Sequence, residues 1–152
     1  MSASGDRVKD LLEHISDALA LDADVVVAED DGVITATLEG DDLGLFIGRH
    51  GQTIDAVQHL AFKVANRDAG RDAAVRVTVD AAGYRERREQ ALQRQADEAA
   101  GKAVDSGRPV ALDAMSATER KVVHEHLKDR DDVETYSEGT EPDRHLVVAP
   151  LD

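Results

Sequence analysis

Four residues, Gly48-Arg49-His50-Gly51, constrain this 152-residue chain more than any other stretch. They join a short apolar run, Leu43–Ile47, to a segment carrying Ile54, Val57, Leu60, Ala61 and Val64 on one helical face. Glycine at both ends lets the backbone turn sharply and come close to a ligand with no Cβ in the way. A helix starting right after Gly51 offers unpaired N–H groups and the positive end of its dipole to a phosphate. Arg49 and His50 then face outward with a fixed charge and a titratable ring. Taken alone, Gly-x-x-Gly also marks an ordinary tight turn between helices, so its neighbours decide its meaning.

Those neighbours form a definite order. Val8, Leu11, Leu12, Ile15, Ala18 and Leu19 recur at the spacing of one helix face. Val25–Ala28 and Val33–Leu38 read as strands, and the Asp31-Gly32 pair between them suits a hairpin turn with positive φ. Beyond the second helix, Val75, Val77 and Val79 alternate with polar residues as a half-buried strand. Residues 6–80 therefore predict α-β-β-α-α-β. From Tyr84 to about Val104 the chain lacks Pro and is rich in helix formers, a long helix that opens a second module over residues 81–150. Val110–Leu112 predicts a short strand, and Ser116-Ala117-Thr118-Glu119 fits a capping box starting another helix. Val133–Tyr136 and His145–Ala149 complete an α-β-α-β-β order. The fold class is α+β.

Charge sharpens the reading. The chain carries net −14, but residues 1–42 hold −10, residues 43–128 hold +2 and residues 129–152 hold −6. Basic side chains thus concentrate in the middle of the chain, between two acidic ends. A phosphate-binding role needs cations locally, not a basic total. The absence of cysteine removes disulfides, thiolate zinc sites, iron–sulfur ligation and thiol nucleophiles together. The longest apolar runs are four residues, far short of the roughly 20 that a membrane span needs. No secretory signal opens the chain, and a soluble cytoplasmic protein is expected.

Arg120-Lys121-Val122-Val123-His124 is a second constellation. Arg and His at i and i+4 share a helix face and can reach one ligand group. The pattern is also common as a plain surface pair. Its place after Val110–Leu112 and before Val133-Glu134-Thr135-Tyr136-Ser137-Glu138-Gly139 gives it weight.

The first module resembles a KH domain of the bacterial type (type II), whose loop clamps about four nucleotides of single strand. The second resembles the R-3-H domain, which binds single-stranded nucleic acid through its Arg and His. Together, over about residues 6–150, they resemble the bacterial Jag family, also called KhpB. Leu45-Phe46-Ile47-Gly48-Arg49-His50-Gly51-Gln52-Thr53-Ile54, Glu119–His124 and Ser137-Glu138-Gly139-Thr140-Glu141-Pro142-Asp143-Arg144 carry that likeness. It implies single-stranded RNA as partner and post-transcriptional regulation linked to cell division and cell shape. On this reading Gly48, Arg49, His50 and Gly51 clamp the backbone, Leu45, Ile47 and Ile54 line the groove, and Lys63 or Arg67 helps at the rim. Arg120, Lys121 and His124 make the second contact. Two departures are expected: the further N-terminal Jag domain of many members is missing, and His50 stands where Arg is usual. The rival is a protein–protein adaptor that pairs with another small KH-domain protein or with itself, or acts at the ribosome or membrane-insertion machinery.

Other signals do not add up to chemistry. His124-Glu125-His126 places its rings at i and i+2, on different helix faces, unlike a zinc-binding His-Glu-x-x-His. Asp30-Asp31 and Asp41-Asp42 sit in polar turns, and no serine has a His and Asp partner at a diagnostic spacing. Four aromatics, Phe46, Phe62, Tyr84 and Tyr136, are too few for a base-stacking sheet. No enzyme, metal or cofactor is expected.

Overall fold

The computed structural model describes residues 1–152 and divides into two compact units, Met1–Arg85 and Glu86–Asp152. The first opens with α1 (Ala3–Ala18), capped by the Ser2 hydroxyl, which accepts from the Gly5 amide. Val8 and Leu12 are fully buried, with Leu11, Ile15 and Leu19 packed beside them. Ala18, expected on that face, is exposed, while Gly5 and Ser16 are buried. At 3.6 residues per turn, Ala18 falls on the flank of the stripe.

Strands β1 (Ala23–Asp30) and β2 (Val33–Gly40) pair antiparallel, with Asp30 opposite Val33. The two turn residues between them, Asp31 and Gly32, have φ of 46° and 76°, as a tight hairpin of this hand requires. The chain then crosses over through α2 (Gly44–Ile47) and α3 (Gln52–Ala65) and returns as β3 (Arg76–Ala81), parallel to β2. The sheet order β1-β2-β3 leaves β1 at an edge. Its three valines, Val25 to Val27, are bracketed by Asp24 and by Glu29 and Asp30.

Alternation decides what β2 and β3 bury: Ile34, Ala36 and Leu38 from one, Val77, Val79 and Ala81 from the other. They pack with Phe46, Ile54, Val57 and Ala61 and with α1. The inward stripe of α3 is Ile54, Val57, Ala61 and Ala65. Leu60, expected inward, is 50% exposed, because it lies about a third of a turn away from that stripe. The C-terminal carbonyls of α3 are taken by α1. Arg7 donates to Val64 O (2.8 Å) and Ala65 O (3.1 Å), and the Ser4 hydroxyl donates to Ala65 O (2.8 Å).

Helix α4 (Tyr84–Ser106) starts with Tyr84 against the first core and continues into the second unit. There Leu92, Ala96, Ala99, Ala100 and Ala103 are buried at helical spacing. Strand β4 (Val110–Ala111), helix α5 (Ala117–Leu127), strand β5 (Val133–Glu138) and strand β6 (His145–Pro150) follow, and the antiparallel sheet runs β4-β6-β5. Met115, Val123, Leu127, Val133, Leu146 and Val148 close the core. Both units are mixed α+β, in the expected order of elements.

The capping box is half realised. Ser116 Oγ accepts from the Glu119 amide (3.2 Å). The Glu119 carboxylate, expected to turn back to the cap, instead takes both prongs of Arg88, Nε to Oε1 at 2.7 Å and the second nitrogen to Oε2 at 3.2 Å. A two-pronged guanidinium–carboxylate pair outweighs a single amide bond at a wet helix end.

Candidate nucleic-acid interface

Helix α2 ends where the Gly48 amide donates to Gly44 O (2.8 Å), and the chain reverses into a short 3-10 turn over Arg49–Gly51. Gly48, His50 and Gly51 have φ of 74°, 54° and 76°, so three of the four loop residues occupy left-handed or mirror regions. Both glycines are required sterically as well. A Cβ on Gly48 would overlap the Thr53 side chain, and one on Gly51 would lie 2.5 Å from Tyr84 Oη. His50 is among the few side-chain types that tolerate this backbone region. Arg49 and His50 are exposed at the tip. Gly51 is the N-cap of α3 and no side chain caps that end. The loop therefore brings a bare helix N-terminus, an Arg and a His to one place on the surface.

Of the expected groove residues, Leu45 beside the loop is 67% exposed and Ile47 is half-buried against the core. Ile54 corrects the sequence reading. It is fully buried and serves the core, not a groove, because it leads the inward stripe of α3. Lys63 and Arg67 are not brought to the loop. Lys63 lies eleven residues beyond Gln52, about 16 Å along the helix at 1.5 Å per residue. Arg67 sits past the α3 C-terminus, 3.6 Å from the Asp68 carboxylate that also faces Arg7.

In the second unit, α5 and β5 form a cleft of about 380 Å³ over Leu146. Arg120, Lys121 and His124 line it from the helix, with Thr135 and Ser137 from the strand. The structure thus gathers all three residues expected of the second contact. Arg120 departs from expectation in one respect: its side chain is only 10% exposed. It donates to Met115 O (2.7 Å) and lies 3.1 Å from the Glu141 carboxylate. Only part of its guanidinium fork remains for a ligand, whereas Lys121 and His124 are exposed. The His124 Nδ1 is hydrogen-bonded to the Thr135 hydroxyl. Glu125, next along the helix, is tied to Lys128 at 2.7 Å. The Lys128 hydrogen bond and then its charge hold that carboxyl below its usual range, with smaller help from His124 and Lys121. Arg88 of α4 is taken by Glu119.

Sequence reasoning missed Thr135, Ser137, Met115 and Glu141 as members of this site. The first two could have been found: strand alternation puts Thr135 and Ser137 on the face of Val133, which is the face under α5. The contact of Arg120 to a carbonyl five residues earlier depends on the path of the chain before α5, which no spacing encodes.

Residues 6–79 match the family described as the KhpA/KhpB KH domain, and residues 90–150 match the R-3-H domain family. Three curated relatives align with most of the chain, each described as "RNA-binding protein KhpB". The Clostridium symbiosum protein is 36% identical over 95% of this chain and 65% of its own length. The Lactiplantibacillus plantarum protein is 37% identical over 92% of this chain and 43% of its own length. For Bacillus subtilis the figures are 32%, 94% and 69%. The chain thus spans less than two thirds of the first two relatives.

Proposed function

The chain belongs to the KhpB family, and from that premise we propose that it binds single-stranded RNA at two places and does no chemistry on it. The Gly48–Gly51 loop takes the phosphate backbone. The observation that carries this is the loop itself: three residues at positive φ, two of them glycines where a Cβ would run into Thr53 or Tyr84, hold Arg49 and His50 exposed at an uncapped helix N-terminus. Leu45, exposed beside it, offers apolar contact to a base. The cleft of Arg120, Lys121 and His124 is the second contact, in a module that begins near residue 81. The relatives' descriptions as RNA-binding proteins support the partner class. The finer reading, regulation of transcripts linked to cell division and shape, is supported by the family resemblance.

An adaptor role alongside RNA binding draws on Leu60 and Phe62, apolar residues of α3 that are 50% and 39% exposed. Single large apolar residues on a surface are common, so this reading stands second.

The test is the double substitution Arg49→Asp, His50→Asp. It puts two carboxylates where a phosphate would lie and touches neither a glycine nor a core residue. Affinity for single-stranded RNA should fall at least about tenfold from lost and reversed phosphate contacts, with the melting temperature little changed. A folded double mutant with wild-type affinity would remove the loop from the RNA interface.

A further inference from the structure

In the cleft of the second unit, a side-chain hydrogen bond joins helix α5 to strand β5. Thr135 Oγ1 meets His124 Nδ1, joining an exposed ring to a half-buried strand residue. A hydroxyl can donate to that nitrogen or accept from it, whichever the ring requires. The other ring nitrogen, Nε2, is left for whatever enters the cleft.

Phosphate oxygens at neutral pH only accept hydrogen bonds, so a useful His124 must present an N–H. As imidazolium it has one on each nitrogen, in either ring orientation. As neutral imidazole it has a single N–H, and only one tautomer and one orientation serve. When the Thr135 hydroxyl donates to Nδ1, the proton must reside on Nε2 and the ring cannot turn over. When the ring is charged, the hydroxyl rotates and accepts from Nδ1–H. We propose that Thr135 is a positioning residue that keeps a donor on Nε2 of His124 facing the RNA phosphate, so that this contact survives when the imidazole is neutral. This inference rests on the RNA-binding reading above.

The other charged and titratable groups facing His124 do not supply this function. Arg120 and Lys121 come from its own helix, and Arg120 is shared with Glu141 of the β5–β6 loop. Glu125 is engaged by Lys128. From β5 come the Tyr136 phenol and the hydroxyls of Thr135 and Ser137, and β6 contributes only apolar Leu146. None but Thr135 bonds to the ring.

The experiment compares wild type, Thr135→Val and Thr135→Ser in the full chain, with a labelled single-stranded oligouridylate as probe. Affinities are read at about pH 6 and about pH 8, either side of the midpoint of an ordinary imidazole, about 6.5. Valine suits a strand position, so the fold should be kept. The ratio of wild-type to Thr135→Val affinity should stay under about twofold at the lower pH and reach about three- to tenfold at the higher, the worth of one hydrogen bond. Taking ratios cancels the titration of the other histidines. Thr135→Ser should follow wild type at both. An equal penalty at both pH values, no penalty at either, or failure of serine to rescue would overturn the proposal. Ring nitrogen shifts of His124 without RNA, in samples where they show a neutral ring, provide an arm independent of binding: a proton found on Nδ1 also refutes it. If wild type ignores the oligouridylate at both pH values, the RNA-binding reading fails and this proposal fails with it. If wild type binds and only the ratio misbehaves, the RNA-binding reading stands and the role of Thr135 alone falls.

Discussion

Replacing Arg120 with Ala should damage the fold before it damages binding. The guanidinium donates to Met115 O at 2.7 Å, and Met115 is itself 7% exposed. Truncation leaves that carbonyl without its partner, at about 1–3 kcal/mol for a buried acceptor. The Glu141 side chain is 61% exposed, so water replaces the lost ion pair and at most about 1 kcal/mol is added. A loss of about 2–3 kcal/mol is expected. In a unit of this size each kcal/mol moves the melting temperature by about 4–8 °C, so the second unit should melt roughly 8–24 °C lower. His124→Ala removes an exposed ring and should cost about 0.5–1 kcal/mol. Thermal melts of the two variants, followed by circular dichroism, make the comparison. An Arg120→Ala protein melting within about 3 °C of wild type would refute the reasoning, since that is less than one kcal/mol predicts. So would equal losses in the two variants. Until that is known, weak RNA binding by Arg120→Ala is not evidence of a direct contact, and His124→Ala or Lys121→Ala is the cleaner probe.

Gly51→Ala should destabilise the first unit by at least about 1–2 kcal/mol from its left-handed backbone alone, and by more because the new Cβ would lie 2.5 Å from Tyr84 Oη. Urea denaturation measures this, and a change under about 0.5 kcal/mol would mean the loop relaxes freely. The dependence of RNA affinity on salt should be shallow. With Arg49, Lys121 and part of Arg120 as the fixed cations, and histidines that add charge only when protonated, log affinity against log salt should slope near −2 to −4 at about −0.7 per phosphate. A slope steeper than about −7 would demand a basic track that these two sites do not contain.

Much of this fold was legible because backbone chemistry and periodicity agree. Asp31-Gly32 could only be a tight turn, and both residues take positive φ as that turn requires. The glycine loop was found from the same kind of reasoning. What failed were choices between two uses of one pattern. Ile54 lies on an apolar helix face, and periodicity cannot say whether that face meets the core or a ligand groove; burial decides for the core. Leu60 was read into the same stripe, yet it lies far enough around the helix to stay exposed. Ser116 and Glu119 have the spacing of a reciprocal cap, but Arg88, 31 residues away in sequence, takes the carboxylate. Lys63 and Arg67, expected at the rim of the loop, lie at and beyond the far end of α3, which carries them away from it. Contacts that depend on distant chain, such as Arg120 to Glu141, have no local signature at all.

The edge position of β1 has a consequence for how the protein behaves in concentrated solution. A run of three valines on an edge strand is a template for pairing with another copy, and flanking carboxylates are the usual guard against it. Here the guard consists of Asp24, Glu29 and Asp30, backed by a chain-wide charge of −14. Glu29 is the best protected of these. A side-chain hydrogen bond from the Ser2 hydroxyl, and then the Ser2 amide, hold its carboxyl below the usual range. Repulsion between copies fades as the pH approaches the isoelectric point, about 4.7. Mild acid should therefore turn a well-dispersed protein into one that precipitates through native edges, and replacing Val26 with Lys should keep it in solution.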